Sequence, residues 1–165
     1  GNSITFRRDL LGKRDLQLGF TALAESVSER MRRHGVHCRT VQIQIRDPAF
    51  HTISRQVTLE RSVSLSRELT NTAMALAEHC WDFSKPVRLL ALTAEQLIPI
   101  EQDAEQLTLF PDAAAPAREK QGRLEDTLSS IRGKYGKGSI QLGSFLGNDL
   151  GLGGSGNKLE NDETD

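Results

Sequence analysis

The chain has 165 residues, of which 37% are hydrophobic and 26% are charged. This size and composition are typical of one ordinary domain with additional segments, and they exclude two large domains. The longest uninterrupted apolar run is the five residues 73–77, which excludes a membrane-spanning helix. The first residues lack the apolar region of a secretory signal, so none is expected.

The net charge of −1 hides an asymmetry along the chain. Residues 1–92 carry 14 lysines and arginines against 9 acids, whereas residues 93–165 carry 7 against 13. A basic first part followed by an acidic second part predicts a domain that faces nucleic acid, with a tail behind it. An uneven surface charge without function is the alternative. The two cysteines, Cys38 and Cys80, are too few for a disulfide framework, so a reducing cytoplasm is expected.

Residues 1–92 show the periodicities of four strands and two helices. Strands are predicted at residues 3–8, 39–46, 52–61 and 86–92, and the middle two alternate apolar and polar residues. Pro48 lies in the short stretch between these two strands, which indicates a hairpin. Helices are predicted from apolar stripes with period 3.6. The first stripe contains Phe20, Leu23, Ala24, Val27 and Met31, and the second contains Leu69, Ala73, Leu76, Ala77 and Cys80.

The order strand, helix, strand, strand, helix, strand predicts an α+β protein of the ferredoxin-like βαββαβ class. Its four-stranded antiparallel sheet would be covered by two helices on one face, which leaves the other face polar and open. Gly35 is predicted to end the first helix, and Ser66 is the predicted N-cap of the second. Together these elements form a predicted folded domain of residues 1–98.

The character of the sequence changes after this domain. Residues 99–118 contain prolines, alanines and acids, and they predict a flexible linker. Residues 119–137 predict an amphipathic helix, and residues 138–165, rich in glycine and acids, predict a disordered tail. The apolar stripe of the third helix contains Leu124, Leu128, Ile131 and Tyr135.

The open face of the predicted sheet carries threonine, serine and glutamine, with arginines around it. The arginines are Arg7, Arg8, Arg39, Arg46, Arg55 and Arg88. Short hydroxyl and amide side chains together with arginines can bind phosphate oxygens without reading bases. No aromatic residue is predicted on this face, which argues against single-stranded nucleic acid, whose bases stack on aromatic rings. The pattern favours the backbone of a duplex, with a solvated sheet face as the alternative.

Patterns of catalytic or metal-ligating residues are not found in the sequence. The chain has no Cys-x-x-Cys pair, and Cys80 belongs to an apolar helix stripe. The glycines of residues 143–156 follow no predicted strand and precede no Gly-Lys-Ser/Thr, so a phosphate-binding loop is not predicted. We therefore expect no catalytic residue, no metal ligand and no cofactor in this chain.

Several segments are similar to a known family. Residues 50–55 (Phe-His-Thr-Ile-Ser-Arg), the strand after them, the helix from Ser66 and residues 85–90 (Lys-Pro-Val-Arg-Leu-Leu) resemble the C-terminal "little finger" domain of Y-family DNA polymerases. The resemblance is greatest to the bacterial DinB-like branch and covers about residues 1–98. It implies a domain of a translesion polymerase that lies in the major groove of the primer–template duplex and grips both backbones.

The resemblance also implies which residues contact DNA phosphates. They are Thr5, Arg7, Thr52, Ser54, Arg55 and Arg88. Alternation along the third strand directs Ser54 to the polar face and Arg55 toward the helices, which favours Ser54 as the contact. Polymerases of this family hold two Mg²⁺ ions on carboxylates of a palm domain, and the acids here lie in turns, on helix surfaces and in the tail. The chain by itself is therefore predicted not to polymerise DNA.

A second motif lies in the predicted linker. Gln106, Leu107, Thr108, Leu109 and Phe110 resemble the pentapeptide that binds the bacterial sliding clamp, whose usual form is Gln-Leu-Ser/Asp-Leu-Phe. Only the middle residue differs. The resemblance implies that Leu109 and Phe110 fill an apolar pocket of the clamp, each contributing roughly 1.5–3 kcal/mol when fully buried. The alternative is that these residues fold back on the domain.

The sequence thus predicts an accessory domain with two partners. These are duplex primer–template DNA, bound without sequence preference, and the beta subunit that forms the sliding clamp. A monomer without membrane contact is expected. The competing hypothesis is a ferredoxin-like protein-interaction module whose partner binds the sheet or the third helix. The dependence of duplex affinity on salt distinguishes the two.

Overall fold

The computed structural model describes residues 1–103, 115–147 and 149–152. Four strands and three helices follow one another in this part of the chain. In chain order they are β1 (Asn2–Leu10), α1 (Gly12–Arg33), β2 (Val36–Arg46), β3 (Thr52–Val63), α2 (Ser66–Cys80), β4 (Val87–Pro99) and α3 (Ala115–Tyr135). Short 3₁₀ turns lie at Ile100–Gln102 and Gly143–Phe145. No helix within these residues has the length and apolar character needed to cross a bilayer.

The four strands form one sheet in the order β1-β4-β2-β3, and all neighbouring strands are antiparallel. β1 and β2 are joined through α1 and have β4 between them. β3 and β4 are joined through α2 and have β2 between them. Each helix therefore crosses over one intervening strand, which is the split βαβ arrangement. The predicted fold class, an α+β protein with a four-stranded antiparallel sheet covered by two helices on one face, is confirmed.

The hydrophobic core lies between the sheet and the helices α1 and α2, which contact each other. Its members include Ile4, Phe6, Phe20, Leu23, Val27, Ile43, Ile45, Leu69, Leu90 and Leu92. α1 lies close to the sheet at Gly19, where a Cβ atom would lie 2.8 Å from Leu90 Cδ1 and 2.9 Å from Phe6 Cζ. A larger residue at this position would push the helix away from the sheet. Because both helices lie on this side, the opposite face of the sheet stays open.

β4 continues well past the predicted strand and ends at Pro99, because it is a central strand and pairs with β2 from Leu89 to Pro99. Asp103, which follows the 3₁₀ turn, is hydrogen-bonded to His37 of β2 and Ser62 of β3. The bonds from Ser62 and His37 hold the pKa of Asp103 below its ordinary value. The folded unit therefore extends to residue 103, five residues beyond the predicted boundary.

The N-terminus of α2 differs from the prediction. Ser66 is the first helical residue, and the N-cap position belongs to Leu65, which makes no side-chain cap bond. Glu125 of α3 supplies the cap instead, since its Oε1 accepts hydrogen bonds from the Ser66 amide at 3.1 Å and the Ser66 hydroxyl at 2.7 Å. A carboxylate at this place satisfies an unpaired N–H group and complements the helix dipole. α2 thus takes its cap from a residue 59 positions further along the chain.

α3 packs on α1 and α2 with Glu125 buried between them, and its apolar stripe is only partly covered. Leu124 and Tyr135 of the predicted apolar stripe are 50% and 67% exposed, whereas Glu125 is only 4% exposed. Ion pairs hold the two ends of the helix: Arg118 with Glu68 at 2.6 Å and Arg132 with Glu25 at 3.5 Å. Glu125 is buried because the surface that receives α3 offers a helix N-terminus and an arginine, to which a carboxylate binds better than leucine does.

The first part of the predicted disordered tail also differs from its prediction. Phe145, Leu150 and Leu152 are buried and join the core. Gly147 and Gly151 between them have φ angles of 72° and 81°, a left-handed conformation that glycine adopts without steric cost. A few apolar residues separated by glycine turns are enough to attach residues 138–147 and 149–152. The remainder of the tail, residues 153–165, lies outside the described residues.

Candidate nucleic-acid interface

The open face of the sheet is polar, and most of its side chains are short. Strand pairing places its residues in four rows that cross the sheet. The first row, beside the β2–β3 hairpin turn, contains Thr5, Leu89, Arg46 and Thr52. The second contains Ser3, Ala91, Gln44 and Ser54, the third Thr93, Gln42 and Gln56, and the fourth Glu95, Thr40 and Thr58. None of the residues in these rows is aromatic, as the sequence predicts.

Positive charge is concentrated at the first row. Arg46 belongs to it and donates a hydrogen bond from Nε to Thr52 Oγ1 at 2.9 Å. Arg7 of β1 and Arg88 of β4 flank the same row and are exposed. Glu95, the acid of the four rows, lies at the opposite end of the face. The arginines at the hairpin end can attract anions there, in competition with the carboxylates of Asp9 and Asp47 at the same end.

Five of the six predicted phosphate contacts lie on or beside this end of the face: Thr5, Arg7, Thr52, Ser54 and Arg88. Arg55 is the exception, because its pairing with the buried Ile43 places it on the helix side of the edge strand β3. Burial raises the pKa of the Cys80 thiol in α2, and the nearby charge of Arg55 opposes that rise. The structure thus separates Arg55 from the other five, as the alternation of side chains along a strand requires.

Five of the six surrounding arginines bind groups of the chain itself: Arg8, Arg39, Arg46, Arg55 and Arg88. Arg88 Nη1 lies 3.4 Å from Asp9 Oδ1, in a pair whose side chains are 45% and 39% exposed. An ion pair as exposed as this contributes at most about 1 kcal/mol, so a phosphate could take the place of Asp9. Arg39 donates to the Glu60 carbonyl oxygen at 2.6 Å and lies away from the first row.

The C-terminal segment lies against β1 beside the first row. Asp149 accepts two hydrogen bonds from Arg8, at 2.7 Å from Nε and 2.8 Å from Nη2, and Arg8 also donates to Asp15. These bonds from Arg8 keep the pKa of Asp149 below its ordinary value. Gly151 approaches Arg7 so closely that a Cβ atom would lie 2.9 Å from Arg7 Nε. Arg8 is therefore neutralised by carboxylates of the chain itself, and Arg7 is partly covered.

The motif residues of the predicted linker, Gln106, Leu107, Thr108, Leu109 and Phe110, lie outside the described residues. Their role stays a prediction. The segments on both sides are described: Asp103 is bonded to β2 and β3, and α3 begins at Ala115. In sequence, the motif thus lies between two segments that are attached to the domain.

A metal site is not found within residues 1–103, 115–147 and 149–152, where no three His, Cys, Asp or Glu side chains could hold an ion together. Several of their acids bind arginines of the chain itself. Asp15 and Asp149 bind Arg8, and Glu125 binds Arg32. The Mg²⁺ ions that the family resemblance implies for a whole polymerase have no fitting set of ligands in this part of the chain, and we assign no chemical step to them.

Two residues that the sequence did not single out as site residues, Arg46 and Glu125, hold central positions in the structure. Arg46 is one of several arginines in the sequence, and strand pairing places it between Thr5 and Thr52. Its position on the polar side of an alternating strand is the signal by which it could be found. Glu125 has no such signal, because an acid on the polar side of a helix is ordinarily exposed.

The sequence pattern of the impB/mucB/samB family C-terminal domain matches residues 1–109, well over half of the chain. The chain belongs to this family. The resemblance to the little finger domain of a Y-family DNA polymerase, of the DNA polymerase IV type, is confirmed.

The chain is 36% identical over 153 residues to DNA polymerase IV of Acetivibrio thermocellus, covering 92% of this chain and 37% of that protein. It therefore spans little more than a third of this curated relative. A DinB family error-prone DNA polymerase from Sulfolobus solfataricus shares the fold, with a TM-score of 0.50 at 11% identity over 59% of this chain and 29% of that chain. The little finger domain of PolIV, solved in complex with the beta-clamp processivity factor, has a TM-score of 0.49 at 16% identity and covers 66% of this chain and 96% of that chain. A likeness this weak carries no conclusion.

Proposed function

We propose that this chain is the accessory domain of a translesion DNA polymerase, which grips the backbone of the primer–template duplex and docks on the sliding clamp. The observation that carries the proposal is the first row of the open face. Arg46 and Thr52 are paired neighbours in it, Thr5 lies in the same row on the far side of Leu89, and Arg7 and Arg88 flank the row. Hydroxyl and guanidinium groups on neighbouring strands can donate to successive phosphate oxygens. Phosphate contacts carry no sequence information, so binding is independent of sequence.

The shape of the face supports a duplex as the ligand. Serine, threonine and alanine side chains in the first two rows are short, and strands about 4.8 Å apart form a continuous surface. A rigid double helix can therefore approach the sheet closely along several strands. Single strands would need aromatic platforms for their bases, and the four rows contain none.

Within a polymerase of this family, this chain would have a different task from the other domains. Nucleotidyl transfer and the Mg²⁺ ions belong to those other domains. This chain contributes affinity for DNA and, through residues 106–110, for the clamp, since the motif departs from the usual pentapeptide only at Thr108. We place it in the cytoplasm, where the thiols of Cys38 and Cys80 stay reduced.

The test of duplex binding is a titration with unrelated DNA sequences at several salt concentrations. Three to five phosphate contacts predict that log K falls against log salt with a slope of about −3 to −4.5. Arg46→Ala and Arg88→Ala should each flatten this slope by about 0.9, because each removes one phosphate contact. Arg39→Ala is the matched control, since Arg39 lies away from the first row, and it should leave the slope unchanged. Salt-independent binding, or a strong preference for one sequence, would contradict the proposal.

Asp149→Asn is expected to increase duplex affinity. The substitution removes one of the two carboxylates that pair with Arg8, and it makes Nε and Nη2 available to a phosphate while Nη1 keeps its bond to Asp15. Because the pair is exposed, the gain should be at most about fivefold, with a salt slope steeper by up to about 0.9. The same titrations measure both quantities. A lower affinity in the variant would show that Asp149 supports the face instead of competing with DNA.

A protein-interaction module is the second candidate, and the outer side of α3 favours it. Leu124, Tyr135 and, beyond the helix, Leu146 are 50%, 67% and 73% exposed. Exposed apolar side chains of this size on neighbouring segments are typical of a protein contact. This candidate predicts no salt-dependent duplex binding at all, so the same titration decides between the two.

A further inference from the structure

The turn between β2 and β3 is closed by a dense set of hydrogen bonds. The amide of Asp47 donates to the His51 carbonyl oxygen at 3.0 Å, and the amide of Phe50 donates to the Asp47 carbonyl oxygen at 3.1 Å. Asp47 Oδ1 also accepts a hydrogen bond from the His51 amide at 2.9 Å. These bonds determine the backbone of every residue between them.

Phe50 is held in an unfavourable backbone conformation by this turn. Its φ angle is 68°, in the left-handed region that glycine adopts without steric cost and that is unfavourable for a bulky residue. Its side chain does not compensate for the strain by packing, because the residue is 77% exposed. Glycine at this position would suit the turn better and would also remove an apolar surface from water. A strained and exposed residue that the fold does not need indicates a role outside the fold.

The position of Phe50 connects this role with the open face. Arg46 and Thr52 are the last paired residues of the hairpin, and both belong to the first row of the face. Phe50 lies in the turn immediately beyond that pair. An aromatic side chain thus stands at the rim of a surface whose rows contain no aromatic residue, at the end where positive charge is concentrated.

We infer that Phe50 packs against the deoxyribose rings of a duplex held on the open face, an inference that rests on the proposed function. The bases of a duplex are stacked on one another and offer no free ring face, whereas each deoxyribose presents an apolar C–H surface between two phosphates. A phenyl ring beside phosphate-binding residues meets that surface first. The contact adds affinity for any sequence, and it releases no counterions because it involves no charge.

The test compares the variants Phe50→Gly and Phe50→Ala with the unchanged chain on a duplex at several salt concentrations. Both variants should bind about five- to tenfold more weakly, as expected for a phenylalanine that is partly buried on binding. The salt slope should stay the same, in contrast to the flattening expected for Arg46→Ala. The midpoint of thermal unfolding of Phe50→Gly should equal or exceed that of the unchanged chain, because glycine relieves the strain.

Gln96→Gly is the matched control. Gln96 of β4 also has a left-handed φ angle, 50°, and is exposed, but it lies far along the strand from the first row. Its replacement should relieve strain in the same way and leave duplex affinity unchanged. A Gln96→Gly variant that loses affinity like Phe50→Gly would show that strain, and not the phenyl ring, governs binding, which would overturn the inference.

The remaining outcomes separate this inference from the function on which it rests. Wild-type affinity in Phe50→Gly at every salt concentration, while the unchanged chain binds duplex with the expected slope, would overturn the inference and keep the proposed function. Loss of clamp affinity with unaltered duplex affinity would overturn it in favour of a protein contact. Failure of the unchanged chain to bind duplex would contradict the proposed function itself, and the inference with it.

Discussion

Changing Leu109 and Phe110 together to alanine is expected to lower the affinity of this chain for the bacterial sliding clamp at least a hundredfold. A short linear motif owes its affinity to a few apolar anchors, and each of these two side chains contributes roughly 1.5–3 kcal/mol when fully buried. The unchanged chain should bind in the micromolar range, about −8 kcal/mol, since the segment loses conformational freedom on binding. Titration of purified clamp with both proteins measures the difference.

A matched control removes apolar surface without touching the motif. Leu124 and Tyr135 are exposed on α3, so the double variant Leu124→Ala, Tyr135→Ala should keep its clamp affinity. Duplex affinity should be the same in all three proteins, because in sequence the motif follows the βαββαβ unit, and Leu124 and Tyr135 belong to α3. Equal clamp affinity of the unchanged chain and the motif variant would show that the similarity of residues 106–110 to a clamp-binding pentapeptide is accidental.

The second large effect is expected at Glu125, where alanine should lower the free energy of unfolding by about 3 kcal/mol. The side chain is 5% exposed and pairs with Arg32, which is 21% exposed. It also accepts hydrogen bonds from Ser66, Ser28 and Gln121. Its removal leaves Arg32 without its buried partner and α2 without its cap, so α3 should detach and become sensitive to protease. Urea unfolding and limited proteolysis measure the two consequences.

Leu124→Ala is the informative comparison, because the neighbouring residue tests the opposite orientation of α3. Leu124 is half exposed in the structure, so its truncation should change the free energy of unfolding by less than about 0.5 kcal/mol. If α3 packed by the centre of its apolar stripe instead, Leu124→Ala would be the damaging variant and Glu125→Ala the harmless one. Whichever of the two variants lowers the free energy of unfolding more therefore shows which side of α3 is buried.

The pH dependence of this contact follows from Glu125 and Glu25. Burial would raise the pKa of Glu125, but hydrogen bonds from Gln121 and Ser66 together with Arg32 hold it below its ordinary value. Its contribution to stability is therefore complete above about pH 4.3, the ordinary glutamate value, and declines as the pH falls through the lower folded value. Burial raises the pKa of Glu25, so its unfavourable contribution is relieved as the pH falls and partly offsets this decline.

Glu125→Gln isolates the first of these contributions. The variant keeps the shape of the side chain and cannot ionise, so it should be less stable than the unchanged chain at pH 7. The difference in unfolding free energy between the two proteins should shrink as the pH is lowered toward 3. A difference that stays constant over this range would show that Glu125 is not ionised in the folded chain.

The alternating and helical periodicities were sufficient to predict the order of the elements and most of the core. Ile43 and Ile45 alternate with polar residues in β2, and Phe20, Leu23 and Val27 recur at helical spacing in α1. These patterns reflect how each local segment buries one side, and all five residues are in the core. The polar character of the open face, including Ser54 on it and Arg55 off it, follows from the same alternation. The clamp-like motif of residues 106–110 can likewise be found from the sequence alone.

Tertiary structure decided the features that depend on which segments meet. The strand order β1-β4-β2-β3 aligns Thr5, Arg46 and Thr52 in one row, although they come from three separate strands. The buried side of α3 was decided by its receiving surface, because Glu125 gains a helix N-terminus and Arg32 there. A hydrophobic pattern records the average preference of each residue for water or for apolar surroundings. It carries no information about a specific charged partner that makes burial of a carboxylate favourable, and that partner exists only after the chain has folded.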